Sequence, residues 1–349
     1  MTDTPPTAVP LSGMALDDLR DLFVAMGEAP FRAKQVFQFV QQRGVLDPTE
    51  MTNLSIALRE RLAERVKPAL TPIEEQTSED GTTKFLFELE DGKRVESVLI
   101  PEGDRNTVCV SSQVGCPIRC VFCASGVKGL IRNLSTAEIA EQLLRVRDHL
   151  GERPTHVVIM GMGEPLLNLE ALADAIRLWT NRDGLGFSPR RITVSTAGTP
   201  SKVDRLIDLE LGVNLAISLH APDDETRARL VPGSPKGRTA ALIEAGTRFA
   251  RKTGRDVTVE YVMIAGENDQ PEHAEDLGKL LAGRHIHVNL IPLNPVAHEP
   301  ELGTPSGNAR RRFVDILQDF RVPVTLRTQR GEDIDAACGQ LALERSLGE

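Results

Sequence analysis

Cys109-Val110-Ser111-Ser112-Gln113-Val114-Gly115-Cys116-Pro117-Ile118-Arg119-Cys120-Val121-Phe122-Cys123 holds four of the five cysteines of the chain, and the fifth, Cys338, stands near the far end. The inner three are spaced Cys-x-x-x-Cys-x-x-Cys. A [4Fe-4S] cluster ordinarily takes four thiolates, so a tight trio leaves one iron without a protein ligand and open to a small molecule. Two other readings stand beside this one. Structural zinc takes paired Cys-x-x-Cys knuckles, or cysteine with histidine, in closed four-coordination; this segment offers one such pair and no neighbouring His. Inert buried thiols are the other reading, and crowding counts against it in a chain with only five cysteines.

Working outward, residues 108–114 form the first of six apolar, β-rich runs. The others are 156–160, 192–195, 213–219, 257–264 and 286–291, each followed by a helical stretch. The alternation predicts an α/β fold of parallel strands with crossover helices, and six units predict an open, partial (β/α)6 barrel rather than a doubly wound sheet. In such a fold functional groups gather at the C-terminal strand ends. The cysteine segment follows the first run, Gly161-Met162-Gly163-Glu164-Pro165 the second, Ser195-Thr196-Ala197-Gly198 the third, Ser218-Leu219-His220 the fourth and Pro292-Leu293-Asn294-Pro295 the sixth. Taken singly, the glycine segment reads either as a strand-ending turn or as a place where a cofactor amine approaches Glu164. Ser195, Ser218 and Asn294 read alone as cap or turn residues, and His220 as a loop histidine. Their shared address is what links them. Ser135 with Glu138 forms a capping box that opens a helix running to about residue 150.

Upstream the pattern differs. Residues 14–70 carry apolar positions at helical spacing (Leu19, Leu22, Phe23 and Met26, then Phe31, Val36, Phe37 and Val40), which predicts a small helical accessory domain. Residues 1–13, rich in Pro and Thr, read as a disordered tail. Residues 71–105 read as a β-hairpin linking the module to a barrel over 106–345, with turn dipeptides Asp80-Gly81 and Asp91-Gly92. At 349 residues, one large domain with a small one is the expectation. The net charge of -9 argues against a globally basic nucleic-acid coat; candidate local patches are Arg310-Arg311-Arg312, Arg190-Arg191, Lys128 with Arg132, and Arg32 with Lys34. No apolar run reaches the roughly 18 residues of a membrane helix, the start lacks signal-peptide character, and an odd set of thiols fits a reducing, cytoplasmic compartment.

The segment from Cys109 to Cys116, the trio, Arg132-Asn133-Leu134, Gly161 to Pro165, Ser218-Leu219-His220, Ile291-Pro292-Leu293-Asn294-Pro295 and Arg330-Gly331-Glu332-Asp333-Ile334-Asp335-Ala336-Ala337-Cys338-Gly339-Gln340-Leu341 together resemble the RlmN branch of the RlmN/Cfr radical SAM RNA methyltransferases. The likeness spans nearly the whole chain, including Gly27-Glu28-Ala29-Pro30-Phe31-Arg32-Ala33-Lys34-Gln35 in the helical module. It implies a radical SAM barrel in which Cys116, Cys120 and Cys123 hold a [4Fe-4S] cluster, while S-adenosylmethionine chelates the open iron through its amino and carboxylate groups. Gly163, Glu164, Ser195, Ser218, Leu219, His220 and Asn294 are the S-adenosylmethionine-binding positions it implies. The implied reaction methylates C2 of an adenosine in 23S rRNA, and of a tRNA adenosine next to the anticodon.

That carbon lies between two ring nitrogens and is too electron-poor to attack the methyl of S-adenosylmethionine, so a carbon radical must add to it instead. In the implied scheme Cys338 takes a methyl group from one S-adenosylmethionine. Reductive cleavage of a second gives a 5'-deoxyadenosyl radical that removes a hydrogen from this methyl, and the methylene radical adds to C2. Glu96 takes the C2 proton, and Cys109 attacks Cys338 to release the product and leave a disulfide for reduction. Two S-adenosylmethionine molecules per turnover, a flavodoxin- or ferredoxin-type electron donor and a monomeric protein complete the expectation. Without the resemblance, Glu96 beside Arg94 reads as a solvent-facing strand carboxylate, and Cys338 as a small apolar residue near a helix end. Methylation at adenosine C8 by the same apparatus is a sister reading. A radical SAM enzyme with a non-RNA substrate would have no use for Cys109 and Cys338, and a zinc-binding RNA module would be colourless. The expected outcome is that anaerobically reconstituted protein absorbs broadly in the visible and contains iron. A colourless, zinc-loaded protein would overturn the reading of the trio.

Overall fold

Of the apolar positions at helical spacing, Leu19, Phe23, Val36, Phe37 and Val40 are fully buried and Met26 nearly so in the computed structural model, which describes residues 8–235 and 237–341, whereas Leu22 is half-buried and Phe31, at the start of its helix, is exposed. The buried positions form the seam of α1 (Leu16–Ala25) and α2 (Phe31–Arg43), with α3 (Ile56–Ala63) completing the helical module. Gly44, in the left-handed conformation at φ 75°, ends α2. Residues 1–7 of the expected tail and 342–345 of the expected barrel lie outside the described residues. Residues 8–13 are not a loose tail: Val9 N–H donates to the Arg65 carbonyl at 3.0 Å, and Leu11 and Ser12 are buried.

The expected hairpin is a three-stranded antiparallel meander, β1 (Thr71–Thr77), β2 (Thr83–Glu88) and β3 (Arg94–Glu102). Its first strand is exposed along almost its whole length, so it carries no apolar alternation by which a strand is read. The meander joins directly to β4 (Arg105–Cys109), with Val98 opposite Cys109. Residues 108–114 are not one strand. The chain leaves the ladder after Cys109, resumes as β5 (Gln113–Gly115), and pairs there with β6 (Leu130–Asn133) in a separate two-stranded sheet. At Ser111 a buried side chain replaces the ladder partner, because the Ser111 N–H donates to Gln142 Oε1 at 2.7 Å.

From there the chain alternates: α4 (Thr136–Leu150), β7 (His156–Ile159), α5 (Leu169–Thr180), β8 (Ile192–Thr196), α6 (Pro200–Asp208), β9 (Asn214–Ser218), α7 (Asp224–Leu230) and α8 (Thr239–Thr253), β10 (Val257–Met263), α9 (Pro271–Leu281), β11 (His287–Pro292), α10 (Gly307–Asp319) and β12 (Val324–Leu326). The capping box on α4 is present as expected. The strands lie in the order β4-β7-β8-β9-β10-β11-β12, all parallel, behind the antiparallel β1-β2-β3. Each crossover steps to the next place in one direction. Right-handed crossovers therefore put every helix on one face, and the sheet curls as a barrel rather than winding both ways. The terminal strands β1 and β12 are not paired with each other, so the barrel is open. β12 is a seventh parallel strand beyond the six expected; with three residues, two of them exposed, it leaves no readable run. Among the described residues no helix is long and apolar enough to cross a membrane.

Two buried side chains on α4 hold the parts together. Glu141 accepts from Ser12 Oγ at 2.7 Å and from the N–H groups of Ala69 and Leu70 at 2.9 and 3.2 Å, fastening the helical module to the barrel. Gln142 accepts from Ser97 Oγ and Ser111 N–H, both at 2.7 Å, and donates to the carbonyls of Ser111 and Glu138, both at 3.0 Å. Gln142→Leu would strand several of these groups in the core, each at about 1–3 kcal/mol. The variant is expected to lose roughly 2–5 kcal/mol in denaturant unfolding; an unchanged midpoint would contradict this account.

Candidate active site

The C-terminal ends of the parallel strands open on a cavity of about 1000 Å³, including space open to solvent. Cys116, Cys120 and Cys123 line one side. Gly163 and Glu164 reach it after β7, Ser195 and Thr196 at the end of β8, Ser218 and His220 at and after the end of β9, and Asn294 after β11. A second recess, of about 780 Å³, lies toward β3 and β4 and is lined by Val98, Ile100 and Cys109 among others. Cys123, Met160, Asn294, Arg327 and Cys338 line both. Cys338 therefore stands at the seam between the trio and Cys109. Leu219 lines neither recess: its side chain is fully buried in the core, and its N–H donates to the Glu260 carbonyl at 3.1 Å.

The cysteine loop is held by backbone contacts. Cys116 N–H donates to the Gly129 carbonyl at 3.0 Å. A Cβ on Gly115, at φ 73°, would sit 2.1 Å from that same oxygen, so only glycine permits the approach. Burial pushes the Cys116 thiol up to about 12, and the neighbouring Cys123 adds to it. Burial, then Cys123 and Cys116, hold Cys120 well above its usual range, and burial raises Cys123. Thiols that oppose one another's ionisation in this way call for a positively charged group to draw them into the thiolate form. Among the described residues no three Cys, His, Asp or Glu side chains converge to hold a single metal ion. In a [4Fe-4S] cluster each thiolate binds a different iron, which is the kind of group this donor set fits.

Glu164 is fixed from three sides. Its Oε1 accepts from Thr196 Oγ1 at 2.6 Å and Leu166 N–H at 3.1 Å, and its Oε2 from Ala197 N–H at 2.9 Å. Burial raises its pKa, with these hydrogen bonds opposing. Ser195 Oγ and Ser218 Oγ are 3.0 Å apart. His220 is buried, with φ at 61°, and accepts at Nδ1 from Val262 N–H at 3.0 Å; this bond leaves its proton on Nε2. Burial and then Arg227 hold its pKa at about 3, so the ring is neutral. Arg227 itself escaped the sequence reading, where it stands among the charges of α7 like a solvated residue. It is 3% exposed and donates to the carbonyls of Leu219 at 3.1 Å and Ala197 at 2.9 Å, tying the chain beyond β9 to that beyond β8. Glu260, a buried carboxylate lining the main cavity, was also missed.

Cys338 is exposed, on a turn after a short 3-10 segment, Glu332–Ile334, rather than packed near a helix end. Its carbonyl accepts from Asn294 Nδ2 at 2.9 Å, and Asn294 Oδ1 accepts from Gln329 Nε2 at 2.9 Å. The meander holds the other side of this loop. Ser78 Oγ donates to Asp333 at 2.6 Å, Gly331 N–H to Asp80 at 3.1 Å, and Lys84 Nζ to the carbonyls of Ile334 and, at 3.3 Å, Asp335. Lys84 also lies 3.8 Å from Glu96, the two side chains being 4% and 1% exposed. The solvent-facing reading of Glu96 is thus corrected: it shares the inner face of β3 with Val98, although it lines neither of the two recesses. All five cysteines are free.

The basic candidates scatter. Arg190 and Arg191 precede β8 and so sit at the strand ends away from the cavity. Arg132 is paired with Asp91 at 2.7 Å and Glu138 at 2.8 Å, and Lys34 with Asp183 at 2.7 Å. Arg310, Arg311 and Arg312 lie in the first half of α10, after β11.

Residues 110–278 match the model of the Radical SAM superfamily, and residues 9–67 that of the Ribosomal RNA large subunit methyltransferase N-terminal domain. The chain is 47% identical to the Dual-specificity RNA methyltransferase RlmN of Marinobacter nauticus, over 95% of this chain and 92% of that protein. It is 46% identical to the Probable dual-specificity RNA methyltransferase RlmN of Symbiobacterium thermophilum, over 95% and 91%. The crystal structure of a radical SAM methyltransferase from Sphaerobacter thermophilus superposes with a TM-score of 0.90 at 43% identity, covering 97% of this chain and 100% of that one.

Burial pushes the Cys109 thiol up to about 12, with Cys338 adding to it. At pH 8 only about one in ten thousand such thiols is ionised, against roughly a quarter of ordinary ones. Alkylation of Cys109 at that pH is expected to be at least about a thousandfold slower than that of a free thiol, rising about tenfold per pH unit; burial raises the Cys338 thiol as well, but its residue reaches solvent where Cys109 does not, so Cys338 is expected to react first. Peptide mapping of the labelled protein checks this; equal labelling of the two would overturn it.

Proposed function

Because the chain belongs to the RlmN family of radical SAM RNA methyltransferases, we propose that it methylates C2 of an adenosine in 23S rRNA and of a tRNA adenosine next to the anticodon, with Cys338 as the carrier of the methyl group. The observation that carries this reading is the place of Cys338, on the seam between a recess lined by the cysteine trio and one lined by Cys109. A radical enzyme acting on a small molecule would have no use for a thiol on each side. The reaction belongs in the cytoplasm, where thiols stay reduced.

Bound through Cys116, Cys120 and Cys123, a cluster would supply the electron that splits S-adenosylmethionine into methionine and a 5'-deoxyadenosyl radical, and this radical takes a hydrogen from the methyl carried by Cys338. The remaining work is done by side chains. Glu164, locked by its three donors, offers the methionine amine a fixed carboxylate, while Ser195, Ser218 and the backbone around Gly163 and His220 line the space for the rest of the cofactor. Neutral His220 adds no charge beside the sulfonium. Asn294 holds the Cys338 carbonyl, so the thiol faces the S-adenosylmethionine cavity to be methylated and the target base to deliver the methylene carbon. Glu96 takes the C2 proton, and the one electron that the adduct gives up would pass to the cluster, which the splitting of S-adenosylmethionine leaves oxidised. Cys109, as thiolate, then bonds to the Cys338 sulfur; the bond from that sulfur to the new carbon breaks, and the carbon takes a proton to become the methyl group. The resulting disulfide is reduced by an external thiol. Lys84 keeps Glu96 and the Cys338 loop on one strand pair.

The test is nucleoside mass spectrometry of 23S rRNA and tRNA after anaerobic incubation with cluster-loaded protein, S-adenosylmethionine and dithionite. The expected product is 2-methyladenosine, lost in Cys338→Ala, with a protein–RNA adduct accumulating in Cys109→Ala. A product methylated at C8, or no adduct with the Cys109 variant, would overturn the regiochemistry or the resolving role respectively.

A further inference from the structure

Nine large apolar side chains stand exposed among the described residues, and three of them, Val127, Leu130 and Ile131, fall within five consecutive positions. That stretch is the outer wall of the cysteine loop. Gly129, between Lys128 and Leu130, receives the Cys116 N–H at 3.0 Å, and Gly126 N–H donates to the Cys123 carbonyl at 3.2 Å. Leu130 pairs with Gly115, next to Cys116, where β5 meets β6. Arg119 and Lys128, both exposed, flank the patch, and neither makes an ion pair or a side-chain hydrogen bond among the described residues. Arg119 is anchored by its backbone, since a Cβ on Gly126 would lie 2.7 Å from its Cα.

An aliphatic patch with two free cations, backed directly onto the thiols of a redox centre, has a specific use. The inner side of the trio faces the cavity that S-adenosylmethionine and the target base fill, so an electron must come through the outer wall. We propose that Val127, Leu130 and Ile131, with Arg119 and Lys128, form the docking surface for a small acidic one-electron donor protein of the flavodoxin or ferredoxin type; this rests on the radical SAM reading of the trio. Redox encounters use small, transient interfaces, which suits a patch of this extent. The charges set the sign of the partner and speed its arrival. Single-stranded RNA is gripped by aromatic stacking platforms, and this patch has no aromatic side chain. In the step itself a flavin hydroquinone gives up one electron to become the semiquinone, and the cluster passes from the 2+ to the 1+ state.

The experiment compares cluster-loaded wild type with Ile131→Glu and with Lys128→Glu, both at exposed positions. Reduction of the cluster is followed by its visible absorption and its electron paramagnetic resonance signal. Flavodoxin hydroquinone is one reductant and dithionite the other. The proposal expects at least a tenfold slower reduction by flavodoxin in each variant, an unchanged reaction with dithionite, unchanged RNA affinity, and a wild-type flavodoxin rate that falls with salt. Equal flavodoxin rates would overturn it. So would an equal slowing with dithionite, which would make the patch a support of the cluster, or a loss of RNA binding or self-association with reduction intact, which would assign the face to RNA or to a second copy. Failure of the RNA reading is separate, because methylation driven by dithionite bypasses the patch.

Discussion

The hydrogen bond from Asn294 to the carbonyl of Cys338 ties the cavity at the strand ends to the loop that carries the fifth cysteine. Asn294 sits just past β11, the last strand but one of the sheet, and Cys338 on a turn with no regular structure of its own. A turn near a chain end has few internal contacts to fix it. This one is gripped from both flanks, by Asn294 and Gln329 on the barrel side and by Ser78, Asp80 and Lys84 on the meander side. A thiol proposed to meet S-adenosylmethionine, an RNA base and Cys109 in turn needs such a frame, because misplacement by an ångström is costly in any reaction between positioned groups.

Much of this was legible in the sequence, for identifiable reasons. The trio could be read because ligand spacing within one loop is local. The barrel could be read because parallel strands buried on both faces appear as continuous apolar runs, and their ends give addresses for Glu164, Ser195, Ser218, His220 and Asn294. What escaped were partners fixed by tertiary contact. The burial of Glu96 depends on Lys84, on the neighbouring strand, and on carbonyls some 240 residues away. Arg227 is recognisable only once the strand ends whose carbonyls it binds are brought around it. β1 and β12 were invisible because short, exposed strands carry no hydrophobic signature.

Two titratable groups at the site have pKa values pushed away from neutral pH in opposite directions, and both are thereby kept uncharged. Cys109 is held protonated and His220 neutral by burial, with pKa values of about 12 and about 3. Neither can change charge with ordinary shifts in pH. A thiol so seldom ionised is a poor nucleophile at rest.

Glu141 ties residues on both sides of the helical module, Ser12 before it and Ala69 and Leu70 after it, to a helix of the barrel. The module is therefore clasped at its two ends rather than hung on a tether. On the proposed function, an RNA gripped by this module would have to present its adenosine at one set separation from Cys338, so that the pair would gauge the folded dimensions of an RNA as a caliper gauges a part.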